Sequence, residues 1–383
     1  MGYLALWEGA YQGQGSAGDA QPPASRGEWN GHPVSTLACD RQANRIPRMG
    51  NRSAYRWFNI AYVGCIASWL LLRAVFMDRW WLLALVYTMA VYLFVPLPIL
   101  LFIGLIQRRK DSLWLLTLPG LAFMVLYGEL FLPRMPGAEP IQGPSIGVMS
   151  FNLHFRNDDM EGVAEAIRSA YPGIVGFQEL TAAQGNILGD LLSQDYPYRT
   201  PLVFAEDRRI GLFSRYPIQS VEGLTFARRQ QAMRLQLEIE GQSVYVYVAH
   251  LSPTLISNVL DNSGPAYVSE TYTWRAEEAS RLAESVSALD EPVILLCDCN
   301  LTDTSYAYSK LEAVLEDSFR EAGWGFGHTV QPEGFPFRLQ RIDFIWHSSD
   351  FVAIRAGVGP DGGSDHRPVT ATLKLRRPAS AEP

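Results

Sequence analysis

From Trp80 to Ile106 the chain carries no charged side chain, and Pro96 and Pro98 stand near the middle of that run. Core helices of soluble proteins alternate apolar and polar faces, which this segment does not do, and it exceeds the roughly 20 apolar residues a bilayer crossing needs. Two similar runs flank it, at about 57 to 77 and about 112 to 132. Their interior charges, Arg73 and Glu129, lie close to an end, from which a long side chain reaches the interface. Residues 54–132 therefore read as three transmembrane helices, the second kinked or broken at its prolines. Trp57, Trp80, Trp81 and Trp114 fall near span ends, as in an aromatic belt. So few interior charges give a transport pathway little support.

Charge divides the chain at the same place. Of a net −7 over 383 residues, residues 1–134 contribute +5 (12 Lys+Arg, 7 Asp+Glu) and residues 135–383 contribute −12 (20 and 32). Arg41, Arg45, Arg48, Arg52 and Arg56 precede the first span, and Arg108, Arg109 and Lys110 separate the second from the third. The loop between the first two offers only Arg79 beside Asp78. Counting positive residues puts the N-terminus and the 108–110 loop in the cytoplasm and, after three crossings, the acidic part outside. The expectation is an integral membrane protein that meets the lipid bilayer through these helices.

Residues 8–48 are rich in Gly, Gln, Ser, Pro and Ala without a period, so 1–53 reads as a flexible tail. Gly13, Gly15 and Gly18 match the spacing of a dinucleotide fingerprint, but the strand and helix that give that motif its mechanism are missing around them. No basic region leads into an apolar one, as a cleaved signal peptide requires, and the basic leader from Met49 makes that residue a candidate translation start. Pro133, Pro136, Pro140 and Pro144 mark 133–145 as a linker. Four cysteines, Cys39, Cys65, Cys297 and Cys299, match no zinc spacing and leave the redox compartment open. Cys297 and Cys299, on one strand face, read as small buried hydrophobes.

From residue 146 short apolar runs alternate with amphipathic stretches. Strands are expected at 146–152, 174–178, 210–214, 234–240, 243–250, 292–298, 341–347 and 368–375. Helices are expected from an Asn157 or Asp158 cap to 170, at 181–193 and at 270–289, with a hairpin turning at Gly241 and Gln242. The mixture argues for a layered α/β domain with mixed sheets over 146–376, followed by a short tail at 377–383.

Chemistry-bearing residues cluster at the ends of these strands: Asn152, Glu179, His250, Asp298 with Asn300, Asp343, and Asp365 with His366. Each alone has a plain explanation, a loop carboxylate, a turn-forming Asn or a satisfied His. Together they suit metal-assisted phosphate chemistry. Phosphoester hydrolysis needs charge neutralised on the phosphate oxygens, an oriented water and a stabilised leaving oxygen. A hard divalent cation held by carboxylates and an Asn carbonyl meets the first and third needs, which favours Mg²⁺, with Mn²⁺ as a substitute, over zinc.

The ordered motifs SFN, QE, SRYPI, HL, CDCN, RIDFI and SDHRP resemble those of the endonuclease/exonuclease/phosphatase superfamily, the DNase I-like fold. The resemblance implies a four-layer α/β/β/α sandwich over about 146–375 with a metal-dependent phosphoesterase site at its edge. It implies Glu179 as principal metal ligand with Asn152 and Asp365 beside it. It further implies Asp298 orienting or deprotonating water, Asn300 positioning it, His250 and His366 on the phosphate, and Asp343 paired with His366. Arg275, Ser214 and Arg215 lie in motifs that recur in the family, with structural roles equally open. One departure is CDCN where the family usually has GDFN: the Asp and Asn remain, while local packing and substrate fit are put in question.

Net −12 with only two lysines, Lys310 and Lys374, disfavours tight binding of nucleic acid, although the pairs Arg208 with Arg209 and Arg228 with Arg229 could face phosphate. The expected function is a membrane-anchored, Mg²⁺-dependent phosphohydrolase, a phosphodiesterase ahead of a monoesterase, acting outside the cytoplasm on nucleic acid, a phospholipid head group or a small phosphodiester. A catalytically silent binding module on the same fold is the alternative.

Overall fold

The computed structural model describes residues 50–132, 143–200, 209–226, 231–254, 259, 264–332 and 334–376. The expected tail up to residue 49, most of the linker (133–142) and the end from 377 lie outside the described residues, as do Arg208, Arg228 and Arg229.

Two six-stranded sheets organise the chain from residue 145. One holds β1 (Ser145–Asn152), β2 (Ile174–Leu180), β3 (Tyr198–Arg199), β4 (Arg209–Ser214), β11 (Phe351–Val358) and β12 (Val369–Leu375), in the order β11-β12-β1-β2-β4-β3. The other holds β5 (Ile218–Thr225), β6 (Gln231–Ile239), β7 (Gln242–His250), β8 (Val293–Asp298), β9 (Glu316–Asp317) and β10 (Asp343–His347), in the order β5-β6-β7-β8-β10-β9. Each sheet has one parallel pair at its centre, β1 with β2 and β7 with β8.

Strand alternation assigns the layers. In β8, Ile294 and Leu296 face the first sheet, where they meet Val148, Ile174 and Leu212. Leu295 and Cys297 face outward onto Leu282 of α8 (Gly264–Ser287) and Tyr308 of α9 (Tyr306–Glu312). On the opposite outer face Phe151 and Phe177 pack under Val163 and Ile167 of α6 (Met160–Ala170) and Leu188 of α7 (Ala182–Leu191). The result is the α/β/β/α sandwich that the motif resemblance implies. At Gly176 the sheets approach so closely that a Cβ would lie 2.8 Å from Leu296 Cδ1 and 3.0 Å from its Cβ.

Local details differ from the sequence expectation. The β6–β7 turn sits at Glu240 and Gly241, one residue earlier, with φ of 47° and 80°; two left-handed residues match the right-handed twist of a hairpin. Helix α6 is capped by Asp159, whose carboxylate accepts from Gly162 N at 2.9 Å, and Asn157 instead donates to Gly362 O.

The three expected transmembrane helices are corrected in part: among the described residues two are unbroken candidates, and the middle segment makes a third only if its two bent parts count as one span. Two segments are long and apolar enough to cross a membrane: Ser53–Phe76, within α1 (Gly50–Phe76), and Lys110–Leu130, built from α4 (Lys110–Leu115), α5 (Thr117–Tyr127) and a 3₁₀ turn. The middle segment is broken. Its first part, α2 (Trp81–Thr88), meets the stretch Ala90–Ile106, which ends in α3 (Pro96–Ile106), at 73°. The break is at Met89 rather than at the prolines, because Pro96 opens α3, where its missing N–H costs nothing. Donors from the α/β layers take the carbonyls at the end of α2: Tyr272 OH bonds Ala84 O at 2.8 Å, Thr302 Oγ1 bonds Tyr87 O at 3.1 Å and Gln340 Nε2 bonds Thr88 O at 3.1 Å.

These contacts lie at one end of the apolar helices. At that end Asp78 accepts from Tyr306 N at 2.6 Å, and Arg320, in α10 (Ser318–Ala322), donates to Leu126 O at 2.8 Å and pairs with Glu129 at 3.5 Å. At the other end Tyr55 OH donates to Leu100 O and the Arg109 guanidinium sits 5.5 Å over the Tyr55 ring.

Gly176→Ala forces the sheets apart or distorts Leu296. We expect a loss of about 1–3 kcal/mol in unfolding free energy, read as a lowered Tm of the detergent-solubilised full chain. An unchanged Tm would show that the sheets separate here without cost.

Candidate active site

Parallel pairing brings strand ends of like polarity together, and the site forms where the two central pairs finish. Asn152 ends β1 opposite Gln178, with Glu179 next along β2. In the second sheet His250 ends β7 opposite Asp298, and Asp298 faces Asp343 across the antiparallel β8–β10 pair. Asp365 and His366 enter on the segment before β12. All eight residues singled out from the sequence thus converge on one edge of the sandwich.

Asn152 Nδ2 donates to Asp298 Oδ2 at 2.7 Å, which joins the two sheets. Its Oδ1 accepts from His154 N at 2.9 Å. Asp298 Oδ1 accepts from Asn300 N at 3.2 Å, and Asn300 Nδ2 donates to Leu251 O. His250 Nε2 lies 3.5 Å from Asp298 Oδ2 and 4.0 Å from Glu179 Oε1. His366 Nδ1 donates to Asp343 Oδ2 at 2.8 Å, which orients the ring and leaves Nε2 as its second polar atom. Glu179 and Asn300 adopt left-handed backbone, φ 52° and 49°, and Glu179 falls at a register shift between β2 and β4. A bulge of this kind re-aims a side chain that strand alternation would otherwise bury.

Electrostatics are dominated by carboxylates. Burial raises Asp298 above the ordinary range, and the charge of Asp343 raises it further. Burial works against protonating His366, but Asp343 and Asp298 outweigh it and push the imidazole up to about 10. Among the described residues no Lys or Arg pairs with Glu179, Asp298, Asp343 or Asp365, and Asp343 Oδ1 is buried without a hydrogen-bond partner. Four carboxylates set against two histidines, with an amide oxygen nearby, form a hard-oxygen donor set that suits a divalent cation. Asp298, Asp343 and His366 each also offer a ligand atom within 4.8 Å of the others.

Several supporting residues carry no sequence signal of their own. Ser364 Oγ donates to Asn152 O at 2.8 Å and accepts from His366 N, which ties the last loop to β1. Buried Glu278 accepts from both N and Oγ of Ser252, fixing the turn after His250. Arg275, three residues before it on the same helical face, donates to Ser252 O and Thr254 Oγ1. Ser214 closes a turn with Tyr216 and Arg215 stacks on Tyr171; both sit beside Ile174, the far end of β2 from Glu179. The reading of Cys297 and Cys299 as separate buried hydrophobes is also corrected: they form a disulfide one residue to either side of Asp298. Both point into the outer apolar layer, so Asp298 points the other way, into the site.

Solved structures share this fold. One is the endonuclease/exonuclease/phosphatase from Bacteroides vulgatus, with 17% identity, a TM-score of 0.50 and coverage of 61% of this chain and 99% of that one. Truncated Caenorhabditis elegans TDP2 has 17% identity, a TM-score of 0.50 and coverage of 62% and 100%. Humanized D. rerio TDP2 has 17% identity, a TM-score of 0.50 and coverage of 60% and 99%. At such identities the likeness is one of fold. No curated protein matches the chain. The model of the Endonuclease/Exonuclease/phosphatase family matches residues 149–366, more than half of the chain and a span that holds every site residue from Asn152 to His366. The chain therefore belongs to the Endonuclease/Exonuclease/phosphatase family, whose members are metal-dependent hydrolases of phosphoester bonds.

Proposed function

We propose that this protein is a membrane-anchored, Mg²⁺-dependent phosphodiesterase. The observation that carries the reading is the convergence of Asn152, Glu179, His250, Asp298, Asp343 and His366 on one edge, beside apolar helices long enough to cross a bilayer. A cation held by Glu179, Asn152 and Asp365 would, when bound, neutralise charge on the phosphate and on the leaving oxygen. Asp298, steadied by Asn152 and Asn300, takes a proton from the attacking water. The water oxygen bonds to phosphorus as the bond to the leaving oxygen breaks. His250 and His366 donate to the non-bridging oxygens, and Asp343 holds His366 in the donating orientation. Residues 135–383, at net −12, repel a polyanion, which supports a lipid head group or small diester over nucleic acid.

The orientation we propose takes the bent pair Trp81–Thr88 and Ala90–Ile106 as a third crossing, with the N-terminus and the 108–110 loop in the cytoplasm and the catalytic layers outside. Arg56, Arg108, Arg109 and Lys110 lie towards the end of the helices away from those layers. The Cys297–Cys299 disulfide suits an oxidising compartment.

Purified protein with Mg²⁺ should hydrolyse an aryl phosphodiester, and EDTA should abolish the reaction. Asp298→Asn should lower kcat by about 10²–10⁴-fold and His366→Ala by about 10²–10³-fold, with folding checked by circular dichroism. A folded protein inert across nucleic-acid, lipid and nucleotide phosphoesters would leave the binding-module reading. For orientation, alkaline phosphatase fused after Pro383 should be active and a fluorescent protein reliant on the cytoplasm dark; the reverse result would invert the topology.

A further inference from the structure

Helix α2 is more than part of an anchor, because its end lines a polar cleft beside the catalytic edge. A cavity of about 60 Å³ beside the site is walled by Thr88, Thr254, Arg275, Asn300, Thr302 and Gln340, so the end of an apolar helix shares a cavity with a residue of the site. On its other face α2 and the turn that follows form an open groove of about 370 Å³ lined by Leu82, Leu85, Val86, Met89, Tyr92 and Leu93. Cleft and groove meet at adjacent residues: Thr88 lines one and Met89 the other. Gln340 spans the junction, its Nε2 3.1 Å from Thr88 O and 3.5 Å from Met89 Sδ.

Resting on the phosphohydrolase reading above, we propose that the substrate is a membrane lipid. Its phosphoester enters the catalytic edge through the polar cleft while one hydrocarbon chain lies in the α2 groove. The chemistry of the groove selects this occupant. Its one polar group, the Tyr92 hydroxyl, is already spent on Leu339 O at 2.9 Å, so a peptide or nucleotide would leave its own polar groups unpaired there. Hydrocarbon carries no such cost. Its last lining residues, Tyr92 and Leu93, belong to Ala90–Ile106, the apolar stretch bent against α2 that together with α2 is long enough to cross a membrane, so the groove adjoins surface that a bilayer would cover. Phe335 and Phe337, 47% and 56% exposed, add apolar surface on the loop that leads to Gln340. A lipid reaching the site by this route moves sideways out of the leaflet and keeps its chain out of water.

The test uses the full chain in nanodiscs with Mg²⁺ and a series of p-nitrophenyl alkyl phosphodiesters from methyl to dodecyl, which share one leaving group. We expect kcat/KM to rise by up to about fourfold per methylene until the groove is filled. In Leu82→Ser and Met89→Ser, made separately, the dodecyl-to-methyl ratio of kcat/KM should fall at least about tenfold. A flat series, with the methyl ester hydrolysed, overturns the lipid assignment and leaves the phosphohydrolase reading intact. A rise that both variants retain assigns it to partition into the bilayer and overturns the role of the groove. Hydrolysis of no member of the series overturns both readings.

Discussion

The 2.7 Å bond from Asn152 to Asp298 joins the last residue of a strand in one sheet to the last residue of a strand in the other. Neither sheet holds a complete site. Asn152 and Glu179 come with β1 and β2; His250, Asp298 and Asp343 come with β7, β8 and β10. The two groups meet because each sheet has its parallel pair at the centre and because the sheets close tightly, with Gly176 against Leu296. Parallel neighbours end on the same side, and stacking aligns those sides. What results is a buried concentration of negative charge, a state that is costly unless protons, hydrogen bonds or a cation relieve it. His366 paired with Asp343, the backbone N–H groups on Asp298 and Asn152, and the donor set around Glu179 are three answers to that one cost.

Attachment to the membrane follows the same physics of polar groups that need partners. A helix that stops in hydrocarbon strands its last carbonyls. Here α2 stops where Tyr272, Thr302 and Gln340 supply donors, so the break is set by the layers it rests on. The junction is also ionic: Arg320 reaches Glu129 and Leu126 O, and buried Arg341 pairs with Asp303 and Asp317 close by. A helix held at so many points beside the site is positioned as part of the catalytic unit. Loosening the anchor would therefore disturb Thr302 and Gln340, two walls of the cleft next to Asn300.

Much of the site was legible because its residues end strongly apolar runs. VILLCD before Asn300 and SVYVYVAH ending at His250 announce buried strands, and a polar residue that closes such a run stands out. The residues that went unread lack this contrast. Strand β5 is exposed along most of its length, so no alternation marks it, and β11 carries a bulge between Ala353 and Arg355 that breaks its period. Ser364 and Glu278 are ordinary residues whose roles come from partners far away in the chain. The disulfide was unreadable for a related reason: two cysteines two apart share a strand face whether or not they bond, and only the local backbone decides.

Composition and pattern pointed to a layered α/β domain and to the polar residues at its strand ends, and the resemblance of the ordered motifs implied the family and its four layers. Each of these rests on local periodicity or on short motifs, which need no knowledge of what lies across the interior. The tertiary structure decided that the middle apolar run bends at Met89 and lines a cavity shared with Asn300. Apolar periodicity reports that a segment avoids water, and it reads the same whether the segment is one straight helix or bends where a protein meets it. Which of the two happens depends on the partners available to the carbonyls at the break, and those partners lie more than 180 residues further along the chain, at Tyr272, Thr302 and Gln340.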